Sequence, residues 1–140
     1  MEIVNFCTKV LMSETNMKIK FKRKIDWNFL FELFRDVFPT VCIDCMDMYD
    51  KRNNRTPVLN PDYIYDCEDI KEYKKFLKEE GFGMDLRLKY KWDIMASDEY
   101  DTDVRIKYDP YSDKNVIEFK LTCSPEVLVD TKKKLKELDK

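Results

Sequence analysis

The sequence predicts one α+β domain, a mainly antiparallel sheet in the element order ββαβαβββα with its helices packed on one face. Three observations point there. From Met84 to Ile94 apolar and charged residues alternate without a break, the period of a strand with one face in a core. Two further strand-like runs, near 103–108 and 115–122, are separated by the turn-forming Asp109-Pro110-Tyr111-Ser112-Asp113. Three helical stretches carry their own start and stop signals. A chain of 140 residues can bury a core without disulfides or a structural metal.

Residues 3–11 have a β-type composition, and residues 17–22 alternate apolar with basic, so the two are expected to pair through a turn near 13–16. The first helix is predicted over 27–38. Asp26 is placed to cap it, Ile25 and Leu30 to form a hydrophobic staple across its start, and Pro39 to end it. Its polar stripe is narrow (Asn28, Glu32, Arg35, Asp36), while eight apolar residues cover most of the circumference. Such a helix is either buried on two sides or exposes a partner surface, through which a second copy of the chain could also pair. A strand follows at about 40–48, then an exposed loop at about 50–62 marked by Asn53-Asn54, Pro57 and Asn60-Pro61. The second helix is expected to start from Asp66 as cap and stop at Gly81, with Ile70, Tyr73, Phe76 and Leu77 inward. A last helix starts from Ser124 and Pro125 and turns Leu128, Leu135 and Leu138 inward.

Composition removes several chemistries. The chain has no histidine, so triads using an imidazole, His-ligated zinc and imidazole pH switching are excluded. Gly81 and Gly83 are its only glycines, too few for a glycine-lined phosphate loop. Lys and Arg number 26 against 28 Asp and Glu, a balance that favours no strongly charged partner. No stretch approaches the apolar length of a membrane span and no secretory leader is visible, so a cytoplasmic protein with free thiols is expected. The abundance of Lys, Ile, Asp, Asn and Tyr is what AT-rich coding produces, compatible with a bacterial, phage or viral source.

The sharpest local motif is Val116-Ile117-Glu118-Phe119-Lys120-Leu121. It resembles the E-x-K strand of the PD-(D/E)xK nuclease superfamily, in which that carboxylate and an Asp on the preceding strand bind Mg²⁺ while the Lys positions or activates water. The resemblance implies Glu118 and Lys120 as site residues. Asp103 would be the upstream acid, with Asp109 as second choice, and Mg²⁺ the cofactor. Strand periodicity puts Glu118 and Lys120 on one face, as metal chemistry requires, but any half-buried strand in so charged a chain displays such pairs outward.

Cys42-Ile43-Asp44-Cys45 has the spacing of a zinc or redox pair. Without a second pair it reads as small buried residues, whose thiols a regular strand would turn to opposite faces. The acids at Asp44, Asp47 and Asp50, and at Asp98, Glu99, Asp101 and Asp103, lack the spacing of a calcium loop and are expected in solvated segments. Outward sheet positions count nine basic residues (Lys18, Lys20, Lys22, Arg87, Lys89, Lys91, Arg105, Lys107, Lys120) against five acidic ones (Asp85, Asp93, Asp103, Asp109, Glu118). A face leaning basic suggests nucleic-acid binding as one alternative, although its aromatics fall on the buried side.

By elimination the leading expectation is a non-enzymatic protein that binds another protein. It would be an inhibitor or immunity-type factor, as in phage counter-defence or toxin neutralisation, acting by surface occupation. Its expected interface is Phe31, Phe38 and Tyr49, with Asp98, Glu99 and Asp101 as an acidic patch.

Overall fold

The computed structural model describes residues 12–55, 62–82, 90–99 and 102–140. Their elements are β1 (Ser13–Lys20), α1 (Trp27–Glu32) with a π-helical continuation (Leu33–Val37), β2 (Cys42–Tyr49), α2 (Asp62–Asp66), α3 (Ile70–Glu79), β3 (Lys91–Ser97), β4 (Asp103–Tyr108), β5 (Val116–Cys123) and α4 (Pro125–Leu138). All five strands join one antiparallel sheet in the order β1-β5-β4-β3-β2. The α+β class and the antiparallel sheet are as the sequence predicts. Residues 3–11 and 83–89, which carry the first predicted strand and most of the long alternating one, lie outside the described residues.

Strand periodicity sorts the side chains. Ile94, Ile106, Ile117, Phe119 and Met48 point to the helices and are essentially inaccessible, whereas their sequence neighbours face outward. The helical layer meets that inner face through aromatic contacts. Phe38 lies 6.4 Å from Phe119 between ring centroids, and Phe21, just beyond β1, lies 6.4 Å from Phe119 and 4.8 Å from Phe29. Each pair buries large apolar area, and the edge-on geometry of the two Phe21 contacts adds a further ~1 kcal/mol or so.

Helix α1 begins as expected, with Asp26 Oδ1 accepting from the Phe29 amide at 2.9 Å and with Ile25 and Leu30 both buried. Of the two environments open to so apolar a helix, it occupies the interior one. Trp27, Phe29, Leu30, Phe31, Leu33, Phe34, Val37 and Phe38 are all buried. Phe31 and Phe38 are therefore corrected from interface to core, and a homodimer through residues 27–38 would have only the polar stripe to meet. The wider π turn makes this possible, because five residues per hydrogen-bonded ring, closed by the Phe38 amide on Leu33 O at 3.1 Å, rotate Val37 and Phe38 back toward the sheet.

Two other expectations are corrected. Residues 13–16 are the first half of β1, not a turn, and their partner strand is β5. Asp66 closes the short α2, and the cap of α3 is Asp69, whose carboxylate accepts from the Glu72 amide at 3.0 Å. Asp69→Ala is accordingly expected to cost about 1 kcal/mol in urea unfolding and Asp66→Ala only a few tenths. Gly81 does follow α3 with φ +87°, the left-handed conformation that ends a helix cheaply only at glycine. Ser124 and Pro125 open α4 as read from the sequence.

The end of α4 is fastened to the start of α1. The amides of Lys22 and Arg23 donate to Asp139 Oδ1 at 2.8 and 3.0 Å, and the Arg23 guanidinium donates to Leu138 O at 3.0 Å while pairing with Glu32. Among the described residues no helix is long and apolar enough to cross a membrane.

Candidate functional site

The described helices lie on one face and, among the described residues, the other face of the sheet is open, about 24 Å wide and 20 Å long from strand spacing and rise. Its rows follow from the register. Across the middle run Lys18, Glu118, Lys107, Asp93 and Asp47, and beside them Asn16, Lys120, Arg105, Met95 and Cys45. Lys18, Glu118, Lys107 and Asp93 alternate in sign, whereas Asp47 stands beside Asp93 and Arg105 beside Lys120. Several charges are paired, Lys18 with Glu118 at 3.3 Å, Arg105 with Asp93 at 3.2 Å, Lys120 with Glu14 at 3.5 Å, and Arg55 with Asp47. Met95, in the second row, is 48% exposed.

The described part of this face is not basic. Lys18, Lys20, Arg55, Lys91, Arg105, Lys107 and Lys120 stand against Glu14, Asp44, Asp47, Asp93, Asp103 and Glu118, nearly even. The expected basic lean counted neither Glu14 nor the acids of β2, and its Arg87, Lys89 and Asp85 fall outside the described residues. Such a face does not supply the continuous positive track that a phosphate backbone follows.

The nuclease residues are on the open face but are not brought together. Asp103 stands opposite Thr122, four residues along β5 from Glu118, which is about 13 Å at strand rise. Carboxylates sharing one Mg²⁺ must each come within about 2 Å of it. Glu118 is held by Lys18 and Lys120 by Glu14, while Asp109 Oδ1 accepts from the amides of Tyr111 at 2.9 Å and Ser112 at 3.3 Å and so serves its turn. The donor set implied by the resemblance does not fit the ion. Among the described residues no group of three Cys, Asp or Glu side chains is placed to hold a metal.

β2 contains a feature the sequence did not reveal. A bulge between Ile43 and Cys45 inserts Asp44 as an extra residue, so Cys42, Asp44, Cys45 and Asp47 all face outward while Ile43, Met46 and Met48 face in. The two thiols share the outer face, contrary to the buried, opposed pair expected. Cys45 Sγ donates to Asp47 Oδ2 at 3.1 Å, and this hydrogen bond to a carboxylate, with burial and the negative charge of Asp47 adding to it, pushes the thiol pKa up from 9.0. A thiol kept protonated in this way is a poor nucleophile. The Arg55 guanidinium, and then the thiol, hold the Asp47 carboxyl below its ordinary 3.8. Asp44 accepts from Ser97 Oγ at 2.7 Å across the strand pair.

The remaining predicted interface residues are scattered. Tyr49 is half-buried at the end of β2, opposite Lys91 and bridged to Arg55. Asp98 and Glu99 sit at the other end of β3, where Asp98 Oδ1 accepts from the Thr102 amide at 3.0 Å; Asp101 lies outside the described residues. Of the 50–62 loop, residues 50–55 form an exposed turn around Asp50, whose Oδ1 accepts from the Arg52 and Asn54 amides, both at 2.9 Å. Asn53 there adopts φ 65° and accepts from Lys91 Nζ at 2.7 Å.

Two shallow grooves mark the open face. One, of about 290 Å³, is lined by Asn16, Met17, Lys18, Arg105, Lys107, Glu118, Phe119 and Lys120. The other, of about 650 Å³, continues it toward Tyr49, Lys91 and the Asp109–Asp113 turn. Sequence reasoning missed Met95, Asn16 and Arg55 as members of this surface. Met95 follows directly from continuing the alternation of β3 past Ile94. In comparisons with known proteins, no family model, no curated protein and no solved structure matches the chain.

Proposed function

We propose that the chain is a small protein-binding factor, an inhibitor or immunity-type protein that acts by laying the open face of its sheet on a partner. One observation carries the reading. Among the described residues no helix covers the outer face of the five-strand sheet, and several of its charged side chains are held by one another around an exposed methionine. Ion pairs on a surface contribute little to stability, but they do restrict where each charge is displayed, and a patterned surface discriminates between partners. The side chains on this face offer a display of charge, not an activated nucleophile or a converging metal set.

The test compares capture by variants of each face. Wild-type protein and Val129→Glu, a change at an exposed position of α4, are expected to retain the same partner from extract of the native host, and Met95→Glu is expected to lose it. Retention by Met95→Glu together with loss in Val129→Glu would put the interface on the helical side and reject the open-face reading.

A further inference from the structure

We infer that the partner of the open face presents an acidic segment, with a carboxylate seated over Lys107 in the groove formed by β1, β5 and β4; this rests on the protein-binding reading above. The smaller groove is lined by Lys18, Arg105, Lys107 and Lys120 around a single carboxylate, Glu118. Three of these cations are already answered, Lys18 by Glu118, Arg105 by Asp93 and Lys120 by Glu14. Lys107 is exposed and stands in register between Glu118 and Asp93, each of which is drawn to another cation. Among the described residues its ammonium makes no ion pair, so of the four cations lining the groove Lys107 is the one left unmatched, the others being answered by Glu118 and by the neighbouring Asp93 and Glu14.

The chemistry of the occupant follows from the interleaved acids and the lack of an exposed ring. A nucleic-acid strand is gripped by an unbroken positive track and by exposed rings on which its bases stack; here Glu118, Asp93 and Glu14 interrupt the cations, and Phe119, the only ring lining the groove among the described residues, is buried against the helices. An extended peptide sends every second side chain to one side, about 7 Å apart, so an acidic residue can meet Lys107 while its neighbours avoid the carboxylates.

The probe is a short peptide of alternating glutamate and threonine, titrated into the isotope-labelled full chain and followed by amide shifts. Expected are changes confined to β1, β4 and β5, lost at high salt, and affinity weakened about two- to fivefold in the size-conserving Lys107→Gln and further in Lys107→Glu, where the charge is reversed. Val129→Glu should bind as wild type. The inference is overturned if the peptide causes no shifts, if the Lys107 variants bind unchanged, or if oligothymidylate gives an equal response on the same strands. Peptide failure alongside partner capture that still depends on Met95 would reject the acidic segment alone; loss of both dependences would reject the open face as well.

Discussion

Replacing Phe38 by alanine is expected to lower the stability of the protein by about 3–5 kcal/mol, enough to leave a marginal fold largely unfolded. The ring is 4% exposed, with its centroid 6.2 Å from Phe34 and 6.4 Å from Phe119, where the π turn delivers it to the middle of the sheet. Phe31→Ala should behave alike, because that ring lies against Tyr73 at 5.3 Å and beneath the Arg35 guanidinium at 5.2 Å. Urea unfolding checks both. A surface role for these rings, as the sequence suggested, requires the opposite pattern, an unchanged midpoint with partner capture lost, and that result would overturn their placement in the core.

Arg35→Ala is expected to cost about 2–4 kcal/mol, the larger part of it from carbonyls left without donors. The Arg35 guanidinium reaches from the π turn to Ile64 O at 3.1 Å and to Cys67 O, fastening the whole connection between α2 and α3. Arg35→Lys should recover less than half of the loss, since one ammonium on a flexible stem replaces a planar fork and its stacking on Phe31. Hydrogen exchange should show the opening concentrated in residues 62–69. Uniformly faster exchange, or a cost under ~0.5 kcal/mol, would mean that water satisfies these carbonyls as well as the arginine does.

The parts of the fold legible in the sequence are those set by local chemistry. Alternation located β4 and β5, and an Asp or Ser before an apolar run located the starts of α1 and α4, because a cap and a pleat each need only a few adjacent residues. What could not be read depends on partners distant in the chain. Nothing near Ser13–Asn16 announces that β5 will extend them into a strand, and nothing in Cys42-Ile43-Asp44-Cys45 announces a bulge, since the extra residue is defined only against Ala96 and Met95 of β3. The candidate site was hardest to read for the same reason. Glu118 and Lys120 were singled out as chemistry from their spacing alone, but their cross-strand neighbours, Lys18 and Glu14, decide what they do. The surplus of apolar residues on α1 was correctly noticed, and it reflects a π turn that widens the buried stripe.

The pairing of β1 with β5 also governs how the protein must be made. Ser13 lies opposite Cys123, so β1 leaves a ribosome long before its sheet neighbour does. Strands β3, β4 and β5 form a local meander that can assemble by itself, whereas β1 must wait with its inward Met17 and Ile19 exposed until β5, far later in the chain, is synthesised. Lys18 and Lys20, which alternate with those apolar residues, keep the waiting segment charged and so oppose its association with other nascent chains.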